Sequence, residues 1–98
     1  MRIIARRMLR EFWEAGHVTA REPLKAWFAE VQRAQWSSMA DVKERYPQAS
    51  VIDRERVVFN IGGNKYRLVV KIWFSGQAVW IKFIGTHRQY DDVDVRSL

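Results

Sequence analysis

Two runs of alternating apolar residues, Val57 to Ile61 and Tyr66 to Phe74, flank Gly62-Gly63-Asn64. β-Branched and aromatic side chains dominate both runs, as suits a pleated, half-buried strand. Glycine and asparagine tolerate the positive φ that a tight antiparallel connection needs. The middle of this chain can do little except form a hairpin. Ser75-Gly76 marks a second turn, and Ala78 to Ile84 reads as a third strand.

The first half has a different period. Ile3 and Ile4 open a short extended segment, after which Met8, Leu9, Phe12 and Trp13 recur at helical spacing and Gly16 closes the helix. Leu24, Trp27, Phe28, Val31 and Ala34 define a second helix, with Pro23 in its first turn. Ser37 or Ser38 caps a short third helix carrying Met39, Val42 and Tyr46, which Pro47 ends. Helices followed by a β-meander make the class α+β, in one domain over residues 1–98. Trp13 and Trp27 lie on the apolar stripes. Trp36 falls at the end of the second helix and is expected to be exposed, as a contact for a partner. His17 is expected in a loop with no special role.

Strand alternation assigns two sheet faces. Tyr66, Leu68, Val70, Ile72 and Phe74 should lie under the helices, together with Val79, Ile81 and Phe83. The opposite face reads Arg56, Asn60, Arg67, Lys71, Trp73, Trp80 and Lys82, with Ile84 on that side too. Cations beside flat aromatic surfaces suit RNA, because phosphates attract cations and bases stack. The same two tryptophans also suit ordinary cross-strand packing.

Charge sharpens this reading. The net charge is +6, and residues 54 to 88 hold seven cations against the single acid Glu55. An anionic partner follows. Without cysteine there is no disulfide framework, thiolate metal site or catalytic thiol, and two distant histidines do not make a transition-metal site. Asp91, Asp92 and Asp94 read as solvated charge. No apolar run approaches a membrane span, so the chain is expected to be cytoplasmic, without a membrane partner.

After the third strand comes Gly85-Thr86-His87-Arg88-Gln89-Tyr90-Asp91, placed to project into a groove beside Arg67. Cleaving RNA without a metal needs a base for the 2′-hydroxyl, an acid for the leaving 5′-oxygen and a cation for the phosphorane. Imidazole titrates near operating pH, whereas a phenol needs nearby cations to act as a base. His87 and Tyr90 are therefore candidates for proton transfer. Arg67 and Arg88 are candidate phosphate clamps, because guanidinium binds in a bidentate fork.

Phe59 to Val70, with its Gly62-Gly63-Asn64-Lys65-Tyr66-Arg67 core, and Thr86 to Asp91 together resemble the HigB family of bacterial toxins. The resemblance extends loosely over most of the chain. It implies a RelE-like fold, with helices on a twisted, mostly antiparallel sheet. It further implies mRNA interferase activity, usually ribosome-dependent, in which the toxin cuts message in the ribosomal A site. A HigA-type helix-turn-helix antitoxin is expected to inhibit the toxin, and operator DNA is met only through that complex. The matched positions are Asn60, Asn64, Arg67, His87, Tyr90 and Asp91; Lys65 lies within the first motif. Lys71, Lys82 and Arg88 add cationic surface. No metal or organic cofactor is expected. The residues alone also allow a non-catalytic RNA- or ribosome-binding module, or a co-repressor partner in an antitoxin complex.

Overall fold

Each apolar stripe folds into the element its period demands. The computed structural model describes residues 1–98. In chain order these form β1 (Arg2–Ile4), α1 (Arg7–Glu14), α2 (Arg21–Arg33), α3 (Met39–Arg45) and β2 (Ser50–Val51). Then follow β3 (Arg56–Ile61), β4 (Tyr66–Trp73), β5 (Ala78–Thr86) and α4 (His87–Asp91). The five strands make one sheet in the order β1-β5-β4-β3-β2. Three pairings are antiparallel. The fourth, β1 against β5, is parallel and brings the first strand beside the last. This is the α+β class that the sequence predicts, and no helix is long and apolar enough to cross a membrane.

Helices α1 to α3 bury their stripes on one sheet face. Leu24, Val31 and Val42 are fully buried there against Val57, Leu68, Val70 and Val79. Phe59 is the aromatic centre. Trp27 and Tyr46 meet its ring edge-on at 5.5 and 5.0 Å, and Trp36 stacks at 6.4 Å. Trp36 is thus a core residue, only 6% exposed, and the expected partner contact is corrected. It follows α2 in extended chain, where helical periodicity says nothing about direction.

A second correction concerns β5. Val69 pairs with Phe83 and Val70 with Ile81, so Lys82 is an extra residue in a β-bulge. One inserted residue reverses the alternation beyond it. Ile84 therefore packs on the core, and Phe83 joins the opposite face.

Local chemistry at the helix ends also departs from expectation. Ser38 occupies the N-cap of α3, but its side chain caps nothing. Instead Asp41 reaches back to accept from the Ser37 main chain at 2.8 Å and its hydroxyl at 2.9 Å. These bonds, the main-chain one foremost, hold the Asp41 carboxyl below the usual range. His17 stacks flat on Phe12 at 4.2 Å, which meets Tyr66 edge-on at 5.5 Å.

Candidate active site

The hairpin between β3 and β4 turns through three consecutive positive φ values, 65° at Gly62, 67° at Gly63 and 103° at Asn64. This loop and α4 are joined directly, since the His87 N–H donates to the Lys65 carbonyl at 3.1 Å. The chain enters α4 through a capping box. Thr86 Oγ1 accepts from the Gln89 N–H at 3.1 Å, and Gln89 Oε1 accepts from the Thr86 N–H at 2.8 Å. The segment expected to continue from a strand end is therefore a short helix.

Position 85 makes room for that helix. A Cβ on Gly85 would lie 2.5 Å from the Phe83 ring and 2.9 Å from Gln89 Oε1. Gly85 registers with Arg67, and Arg67 with Asn60, so all three occupy the sheet face away from α1 to α3. The chain after α4 runs back over this face, where Arg56 Nε and Nη2 donate to the Leu98 main-chain oxygen at 3.0 and 2.9 Å. Val58 and Val69 are consequently buried on a face that alternation alone leaves open.

Arg67 is the one charged residue buried in this structure, at 9% exposure. Its Nη1 donates to the carbonyls of Asn64 at 3.1 Å and Tyr66 at 3.3 Å, and it makes no salt bridge. A sequestered guanidinium without a counter-ion is costly unless its donors are used. Here Nε and Nη2 have no protein partner, yet neither is fully enclosed, because Trp27 Nε1 alone is both enclosed and unpartnered. Arg67 therefore keeps two of its nitrogens free of any protein acceptor.

On α4, Asp91 Oδ2 lies 3.4 Å from His87 Nδ1, one helical turn apart, and both side chains are more than half exposed. Tyr90 is half-buried, its ring 6.5 Å from that of Phe83. Lys65 and Arg88 are exposed. The remaining candidates are spread more widely. Asn60 and Asn64 line a groove of about 530 Å³ with Arg45, Tyr46 and Gln48, and Asn60 Nδ2 donates to the Gln48 carbonyl at 3.3 Å. Neither Arg67 nor His87 borders that groove. Lys71 lies 3.7 Å from Glu55, and Lys82 sits over the Trp80 ring. Structure thus gathers Lys65, Arg67, His87 and Tyr90 around one hairpin and helix. Gln89 and Phe83, which shape that junction, were not among the candidates, though the Thr86-x-x-Gln89 spacing is a capping signature.

Comparison with known proteins gives this junction a setting. HigB_toxin, a RelE-like toxic component of a toxin–antitoxin system, matches residues 20–93. The chain belongs to the HigB toxin family. Over 34 residues it is 44% identical to the mRNA interferase toxin HigB of Escherichia coli K12, covering 35% of this chain and 33% of that protein. The mRNA interferases HigB of Escherichia coli O157:H7 and Shigella flexneri match over the same extent. The chain thus spans about a third of the length of these curated relatives.

Proposed function

We propose that this chain is an mRNA interferase, a ribosome-dependent endoribonuclease that cuts translated message in the cytoplasm and halts protein synthesis. The observation that carries this reading is Arg67, buried without a carboxylate partner beside the loop that anchors α4. The names of the matching relatives support it. In this reading Arg67 grips the scissile phosphate and stabilises the charge that builds on phosphorus. The 2′-oxygen attacks phosphorus while a base takes its proton. The 5′-oxygen then leaves with a proton from an acid, giving 2′,3′-cyclic phosphate and 5′-hydroxyl ends.

His87 and Tyr90 share the proton transfers, and Asp91 orients the imidazole through Nδ1, leaving Nε2 for substrate. Lys65 and Arg88 meet flanking phosphates, and Lys71 and Lys82 extend the cationic surface. Asn60 and Asn64 take sugar or base edges from the neighbouring groove. The chemistry needs no metal or organic cofactor. A RelE-like single domain over residues 1–98 would be held in check by a HigA-type helix-turn-helix antitoxin, with operator DNA bound only through the complex.

Primer extension on messages from a reconstituted translation reaction tests this. New ends inside translated codons, only with ribosomes present, are expected. They should vanish when a 2′-deoxynucleotide replaces the residue before the cut. Intact message with salt-dependent RNA binding would instead favour a non-catalytic module.

A further inference from the structure

Two indole rings stand in solvent on the sheet face away from α1 to α3: Trp73 is 64% exposed and Trp80 51%. Trp80 registers with Lys71 and Trp73 with Ala78, which makes the two tryptophans diagonal neighbours on adjacent strands. Both rings are held in place. Three atoms of the Trp73 ring lie within 2.5 Å of where a Cβ on Gly76 would sit, so the ring rests against that glycine and shows its other side to water. Lys82, the extra residue of the β5 bulge, places Nζ 4.5 Å from the centre of the Trp80 ring. From β1, Ile4 registers with Trp80 and Arg2 with Ala78, so Arg2 joins Lys71 and Lys82 around the pair. Glu55, beside Lys71, is the nearby acid.

We propose that Trp73 and Trp80 form a stacking platform for bases of single-stranded RNA. This rests on the reading of the chain as a protein that acts on RNA. Arg67, Lys71 and Trp73 share one face of β4, so at about 3.3 Å per residue the platform lies roughly 13 Å from the phosphate clamp at the Trp80 register and roughly 20 Å at Trp73. It would engage nucleotides remote from the cut. Protein-binding patches are depleted in lysine at their centres. This patch carries lysine on the indole itself, with Ile4 as its aliphatic neighbour, and that combination matches surfaces that pair stacked bases with phosphates.

Two probes separate stacking from charge: a single-stranded oligoribonucleotide, and an abasic strand of equal length with the same phosphates. Both are titrated into the full chain and into Trp73→Ala, Trp80→Ala and the corresponding Phe variants, with circular dichroism as a check on folding. Each Ala variant is expected to bind the oligoribonucleotide about tenfold more weakly. Each Phe variant should recover most of that loss, and abasic binding should not change. Parent-like RNA binding by both Ala variants overturns the platform and leaves the face to a protein partner. Equal losses on both probes overturn it too, as does a parent chain that binds neither. Message cleavage by the parent is scored separately. A parent that binds through its tryptophans without cutting keeps the platform and loses the interferase, and the converse result does the reverse.

Discussion

The main-chain N–H of His87 donates to the carbonyl of Lys65 at 3.1 Å, and through this bond the first residue of α4 takes its position from the β3–β4 loop. Gly62 and Gly63 shape that loop at nearly equal positive φ, but their surroundings differ. A Cβ on Gly62 would meet the Tyr66 ring at 3.2 Å, whereas one on Gly63 would meet nothing within 4 Å. Left-handed backbone costs an L-residue roughly 1–2 kcal/mol. Gly63→Ala should therefore lower the thermal midpoint by about 5–10 °C, and Gly62→Ala by more. Calorimetry of the two variants checks the order; a Gly63 variant that is the less stable would contradict it.

Arg67→Lys retains a positive charge but removes the fork. Cleavage is expected to fall at least about tenfold for Arg67→Lys and on the order of a hundredfold or more for Arg67→Ala. Far-ultraviolet circular dichroism should match the parent in both. Full activity in the Lys variant would show that charge alone suffices at this position.

Thr86→Ala removes one half of the capping box. Loss of an N-cap costs about 1 kcal/mol, and here the cost falls on a five-residue helix. Amides of Gln89 to Asp91 should exchange faster while those of β4 keep their protection, and cleavage should drop with α4. Unchanged exchange at Gln89 would remove the capping argument.

Asp53 accepts from the main-chain N–H groups of Glu55 at 3.0 Å and Arg56 at 2.8 Å, and from Arg56 Nη1 at 2.9 Å. Chiefly through the Glu55 bond, these hold its carboxyl below the usual range. A depressed folded-state pKa gives stability that is present above the unfolded value, near about pH 4, and lost as pH falls through the folded one. Asp53→Asn should therefore be less stable than the parent at pH 7, and the gap should narrow by pH 3. Urea midpoints at the two pH values measure it. A constant gap would assign the effect to packing.

Much of the fold is legible in the residues. Positive φ at Gly62 and Gly63 and the stripe of Leu24, Trp27 and Val31 follow from chain stereochemistry and helical period, both local properties. The bulge at Lys82 is different, because only pairing with β4 reveals that β5 carries one residue too many. Trp36 is similar, because its burial against Phe59 and Tyr46 is a tertiary fact. In the candidate site, Arg67 and His87 stand out in the sequence by side-chain chemistry. Arg67 is buried on the face over which the chain returns to Arg56 after α4, and no periodicity encodes that return.

The parallel pairing of β1 with β5 also governs the order of events during synthesis. Ile3 cannot meet Val79 until synthesis has passed β5, and α4 follows later still. Contacts so distant in sequence form slowly, since a long loop must close before they are rewarded. A chain stalled before α4 would have helices and a hairpin, and would hold Arg67 with neither His87 nor Tyr90.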